Sequence, residues 1–249
     1  MASVKLARMG ILRFLLPVPA LLLLAPLAAA EPKVLLELFT SQGCYSCPPA
    51  EDLLAERYLG RDDVLALELH VDYWDDLVYW GSSWEDPWSS PAYSRRQRAY
   101  AFRSGVFTPQ MVVQGASSAS GTSRRRIDAA IADAQAVPVA ATVSMRPRAG
   151  GGWTAEARGG LDAAGPVEAL RVVYLKETET AIAGGENKGK ILRNHNVVTV
   201  LERAGALAGV LSLELPPPPP GHGCAVILQR AGQGPVLGAW TCPPAAAGD

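Results

Sequence analysis

Glu37-Leu38-Phe39-Thr40-Ser41-Gln42-Gly43-Cys44-Tyr45-Ser46-Cys47-Pro48-Pro49 is the stretch whose reading decides the fold. An apolar run over residues 34–39 ends in small polar residues, a Cys-x-x-Cys pair follows, and two prolines open a helical pattern. Continuous apolar runs of this length suit a strand buried on both faces of a parallel sheet. Proline is accommodated in the first turn of a helix, where no backbone N–H donor is needed. Two cysteines with two residues between them at such a junction lie within bonding reach, which is the spacing of redox-active pairs.

Working outward, Ala50, Leu53, Leu54, Ala55 and Tyr58 recur at helical spacing among Glu51, Asp52, Glu56 and Arg57, and Gly60 ends the helix. Residues 64–71 form a second apolar strand, so residues 34–71 read as one right-handed βαβ unit. Residues 72–91 make an aperiodic insertion holding Trp74, Trp80, Trp84 and Trp88. A helix with Arg95, Arg96, Arg98 and Arg103 is expected over residues 92–103. Pro109 then leads a short strand closed by Gly115, and an amphipathic helix through Ile127, Ala130, Ile131 and Ala134 begins at Ser123.

The order strand, Cys-x-x-Cys helix, strand, helix, x-Pro strand, hairpin, helix resembles the minimal thioredoxin fold. The segments Leu36-Glu37-Leu38-Phe39-Thr40-Ser41-Gln42-Gly43-Cys44, His70-Val71-Asp72-Tyr73-Trp74 and Thr108-Pro109-Gln110-Met111-Val112-Val113 are similar to a family of secreted bacterial thioredoxin-like proteins of unknown function. The resemblance covers roughly residues 33–136. It implies that Pro109 is a cis-proline packed against the cysteine pair and that Thr108 offers its backbone to an extended partner chain. It also implies a buried acid on the first strand that carries protons for the resolving thiol. Glu37 is the candidate, although it stands seven residues before Cys44, one more than usual in thioredoxins. The other reading of Glu37 is a structural acid bound to backbone or to an arginine.

Disulfide exchange needs a thiolate nucleophile, a second thiol to resolve the mixed disulfide, and a place for the partner. The positive end of the helix favours thiolate at the first cysteine, so Cys44 is the expected nucleophile and Cys47 the resolver. A zinc half-site is the competing reading, but no second Cys-x-x-Cys exists and histidines number three. His70, Asp72, Tyr73 and Trp74 stand at the carboxyl end of the second strand, where open parallel sheets carry their ligand crevice. Cys44, Cys47 and His70 together are a minor candidate for a soft-metal site, as in copper-delivery relatives of the thioredoxin fold.

From residue 137 onward the pattern changes to seven short strand candidates separated by Gly and Pro, which suggests a β-sandwich-like second domain over residues 138–249 behind an α/β thioredoxin-like domain over residues 31–137. Residues 216–220 are a polyproline connector. The glycine-rich stretch 184–189 lacks the strand–turn–helix context of a phosphate loop and reads as a hairpin turn, able to dock on the first domain. Cys224 and Cys242 are placed symmetrically about a turn near Gln233, a register that makes them facing partners for a structural disulfide; buried thiols are the alternative.

Residues 1–30 read as a signal peptide: Lys5, Arg8 and Arg13, an apolar stretch broken by Pro17, Pro19 and Pro26, then Ala28-Ala29-Ala30. The unbroken apolar core at residues 20–24 is far short of the ~20 residues of a membrane span. All 24 acids follow residue 30 while three of the 23 Lys and Arg precede it, leaving a body of net charge about −4 that offers no attraction for nucleic acid. The chain is therefore expected to be exported to a periplasm or exterior, with a protein thiol or disulfide as partner, no resident cofactor and no membrane span after cleavage. A non-catalytic or copper-binding envelope protein on the same fold is the alternative.

Overall fold

A computed structural model of the chain describes residues 31–160 and 165–244; the leader expected over residues 1–30 lies outside them. Strand β1 (Val34–Thr40) and β2 (Val64–His70) are parallel and joined through α1 (Pro48–Arg57). After a 3₁₀ turn at Asp72–Trp74, α2 (Pro91–Ala99) leads to β3 (Gln110–Val113) and β4 (Ser117–Ser120), followed by α3 (Arg124–Gln135). The remaining strands are β5 (Ala141–Pro147), β6 (Trp153–Gly159), β7 (Val167–Ala181), β8 (Ile191–Leu207), β9 (Gly209–Leu215), β10 (His222–Arg230) and β11 (Val236–Thr241).

These strands make an eight-stranded sheet in the order β11-β10-β7-β8-β2-β1-β3-β4 and a three-stranded sheet β5-β6-β9. The β-rich half expected from residue 138 onward therefore divides between the two sheets instead of closing on itself. Its strand β8 joins β2 in parallel at Glu68 and Val197, and the large sheet curls until Lys33 and Ala239 exchange backbone hydrogen bonds of 2.8 and 3.1 Å. One core is consequently shared by both halves: Leu35, Phe39, Leu67 and Leu69 pack with Tyr93, Tyr100, Val172, Ile227 and Ala239. Val143, Ala155, Leu213 and Leu215 of the small sheet cover Val173, Val226, Leu228 and Trp240 of the large one.

Alternation along β1 sorts the faces. Leu36 and Leu38 meet Ala50 and Leu54 of α1 and Ile127 and Ile131 of α3, whereas Leu35 and Phe39 lie with the tyrosines Tyr93 and Tyr100 of and beside α2. The helix bearing the cysteine pair and α2 are thus on opposite faces. Among the described residues, no helix is long and apolar enough to cross a membrane.

Candidate functional site

The Cys44–Cys47 pair sits between β1 and α1 as a disulfide, with both residues fully buried. Helix α1 begins at Pro48, so Cys47 is its N-cap and Cys44 lies in the preceding turn, where its N–H donates to Ser41 O at 3.1 Å. Pro48 and Pro49 remove two of the N–H groups that a helix start would otherwise direct at the cysteines. The Cys44 Sγ lies 3.4 Å from Ser46 Oγ. Between the cysteines only Tyr45, 65% exposed, and Ser46 reach solvent.

The Thr108–Pro109 peptide bond is cis. A Cβ built on Gly121 would come within 2.8 Å of Ala50 Cβ and 3.0 Å of Pro109 Cβ, so Pro109, the hairpin end and α1 meet at one close-packed point where only glycine fits without displacement. Trp74 connects this side to the cysteine loop: its Nε1 donates to Thr108 Oγ1 at 2.8 Å, and its Cβ lies 3.4 Å from the position a Gly43 Cβ would take. Of the four residues expected to line a crevice, Trp74 and Tyr73 both reach Thr108. Asp72 accepts from Ser94 on α2, Tyr73 donates to Gln97 at 3.2 Å, and His70 is buried beneath.

Glu37 takes the structural of its two expected roles. Its carboxylate receives Arg96 Nε at 2.6 Å and the Tyr100 hydroxyl, and Arg96 Nη2 also donates to Gln229 at 3.0 Å. This pair is buried on the α2 face, across the sheet from the cysteine helix. Burial would lower the Arg96 pKa, but the Glu37 charge outweighs it and the net shift is upward.

The acids on the cysteine side are others. Glu51 follows Cys47 by one turn of α1, its N–H donates to Cys47 O at 3.2 Å, and Thr40 Oγ1 donates to its carboxylate at 2.5 Å. Burial, reinforced by the charge of Glu68, pushes the Glu51 carboxyl up to about 8, so it carries its proton at neutral pH. Beside it lie Glu68 and His70 of β2 and Asp86 of the insertion, all buried. His70 Nδ1 is 2.7 Å from Asp86 and its Nε2 is 3.5 Å from Glu68. Burial would lower the His70 pKa; the Asp86 charge and hydrogen bond, with Glu68, outweigh it and raise the imidazolium to about 10. Asp86 is held below its usual range, since the His70 charge overcomes its own burial.

Asp86 also accepts the Gln42 N–H at 2.8 Å, tying this cluster to the cysteine loop. Gln42 is saturated: its Nε2 donates to Thr180 and Asn194 at 3.0 and 2.9 Å, and Trp84 Nε1 donates to its Oε1 at 3.3 Å. Asn187, in the loop between β7 and β8, donates to Gln42 O at 2.8 Å and Cys44 O at 2.9 Å. The glycine-rich stretch 184–189 thus docks on the cysteine loop.

His70 Nδ1 is engaged by Asp86 at 2.7 Å, while its Nε2, 3.5 Å from Glu68, makes no hydrogen bond. Among the described residues, no group of three or more His, Cys, Asp or Glu is arranged to hold a metal ion. Sequence reading missed Glu51, Glu68, Asp86 and Asn187. The two glutamates interrupt otherwise apolar faces of α1 and β2, a signal that could have marked them as buried acids. Asp86 and Asn187 carry none. Cys224 and Cys242 face each other across β10 and β11 as a disulfide, with Cys242 N–H donating to Cys224 O at 2.8 Å.

A protein-family model described as "Protein of unknown function (DUF1223)" matches residues 35–229. Among solved structures, the X-ray crystal structure of protein AGR_C_4864 from Agrobacterium tumefaciens is similar with a TM-score of 0.66 and 28% identity, covering 86% of this chain and 95% of that one. No curated protein matches the chain.

Proposed function

The chain belongs to the DUF1223 family of proteins of unknown function, and from its own site we propose that it is an exported, thioredoxin-like protein that exchanges thiols and disulfides through Cys44 and Cys47. The observation that carries the reading is the junction itself: a Cys44–Cys47 disulfide at the start of α1 beside a cis Thr108–Pro109 peptide. Two disulfides are compatible with an oxidising compartment, where such chemistry is used.

In the exchange, a thiolate of a partner dithiol attacks Cys44 Sγ, and the Cys44–Cys47 bond breaks with its electron pair going to Cys47 Sγ. The partner's second thiolate then attacks its own sulfur in the mixed disulfide and releases Cys44. The partner loses two electrons and two protons; the cysteine pair gains both, and the reverse sequence oxidises it again. Glu51, not Glu37, is the acid suited to supply the proton that the departing Cys47 thiolate takes up. It shares a helix face with Cys47 at i+4, and its pKa of about 8 keeps a proton available near neutrality.

Incubation of a folded Cys47→Ser variant with a disulfide-bonded peptide tests this. Trapping of a mixed disulfide at Cys44, read by intact mass, is the expected result. A wild-type protein that exchanges with no dithiol or disulfide peptide while folded overturns it. The complete burial of both cysteines favours a second reading, in which the disulfide is structural and the protein scaffolds an envelope assembly without turnover.

A further inference from the structure

We propose that residues 182–190, the loop between β7 and β8, form a strap that controls access to the Cys44–Cys47 disulfide, with Asn187 as its latch. The inference rests on the exchange reading for its use, but not for its geometry.

Asn187 is fully buried and spends its side-chain amide on the cysteine loop, donating to the carbonyls on both sides of Gly43. Its Oδ1 accepts from Lys190 Nζ at 2.8 Å, and that ammonium lies 4.6 Å from the centre of the Tyr45 ring. Glu186 accepts the Tyr45 N–H at 2.9 Å. The strap therefore holds Gln42, Cys44 and Tyr45 by three of its own side chains. On its other flank it is wedged against the Trp-rich insertion. A Cβ on Gly184 would fall 1.9 Å from Ser83 O, and Gly185, at φ +66°, packs against Trp84 Cβ. Neither position admits a side chain, so the strap fits this slot closely.

The consequence is chemical. A thiolate attacks a disulfide along the S–S axis, and a cysteine with no accessible surface offers no such approach. The strap has its own internal bonds, Gly189 N–H to Ile182 O at 2.8 Å and Lys190 N–H to Asn187 O at 3.0 Å, so it can lift as a unit. Its side-chain grip on residues 42–45 consists of three hydrogen bonds, two buried and one exposed, none of them made to the apolar core. The exchange-competent state is then the lifted one, and the observed rate scales with its population.

The test is the rate at which a small reductant, dithiothreitol, opens each disulfide in the folded protein, read by alkylation and mass spectrometry. Cys224–Cys242 serves as an internal reference. Asn187→Ala is expected to speed reduction of Cys44–Cys47 by about tenfold or more, since two hydrogen bonds are lost, while Cys224–Cys242 keeps its rate. The milder Glu186→Ala, at a partly exposed position, is expected to act in the same direction by about threefold and guards against misfolding of the first variant. An unchanged Cys44–Cys47 rate in folded variants, or equal acceleration of both disulfides, overturns the strap. Because a small reductant replaces the partner, absence of exchange with peptides would sink the proposed function and leave this result standing.

Discussion

Arg96 Nε lies 2.6 Å from Glu37 Oε1, buried on the face of the sheet opposite the cysteine helix. With Tyr100 and Gln229 completing the hydrogen bonding, the pair ties β1, α2 and β10 together at the centre of the shared core. Arg96→Met leaves a buried carboxylate without its counter-ion and is expected to cost about 3–5 kcal/mol. The Glu37→Leu, Arg96→Met double variant removes both charges and should recover much of that loss in urea unfolding. Glu37→Gln, once folded, is expected to keep the pH profile of exchange; a shifted profile would return the acid to the proton path.

Glu51 should make stability fall as pH rises. Its carboxyl is pushed up to about 8 in the folded chain from an ordinary value of 4.5. Between those values the unfolded chain has lost a proton that the folded chain still binds, so the slope of unfolding free energy with pH is negative there. Glu51→Gln is expected to flatten the decline between pH 5 and 8 in urea midpoints. It should also slow exchange while leaving the fold in place, because no proton remains to meet the Cys47 thiolate.

His70 works in the same direction over a higher window. Its pKa is raised from 6.5 to about 10, so the stabilisation it brings is complete below 6.5 and is lost as pH rises through 10. Asp86→Asn removes the partner chiefly responsible. The expected readout is an imidazole titration, followed by NMR, that moves toward neutrality from its position in the wild type. No movement would mean that Glu68, at 3.5 Å, holds the proton instead.

The Cys224–Cys242 disulfide spans 18 residues and staples the β10–β11 hairpin. Replacing both cysteines with alanine is expected to cost about 2–5 kcal/mol in chemical unfolding. Exchange through Cys44–Cys47 should continue in the double variant under conditions where it folds. Loss of exchange in a folded protein would place this disulfide in the electron path.

Strand and helix positions were legible wherever periodicity speaks. The apolar runs at residues 34–39 and 64–71 locate β1 and β2, and the spacing of Ala50, Leu54 and Tyr58 locates the buried face of α1. The short strand candidates read at residues 169–177 and 191–201 are parts of the longer β7 and β8, which run to Ala181 and Leu207. The outer end of β7 and the start of β8 carry cross-strand pairs such as Arg193 with Glu177 and Glu179, which leave no hydrophobic alternation to read there. The row of arginines expected on α2 does not tell which one is buried; Arg96 is, because its partner, Glu37, comes from 59 positions away.

What the sequence by itself determined is local: the strand–Cys-x-x-Cys–helix junction at residues 37–49, and the facing of Cys224 and Cys242 about their turn. Close spacing along the chain makes such pairings geometrically forced. The tertiary structure alone decided which acid stands near the cysteine helix start, which histidine nitrogen is engaged, and which loop is tied to the cysteine turn. Asn187 reaches Gln42 across 145 positions, and Gln42 reaches Asn194 across 152. Contacts of that range arise only when the sheet curls and brings the β7–β8 loop over the cysteine turn. No periodicity of a single chain records them.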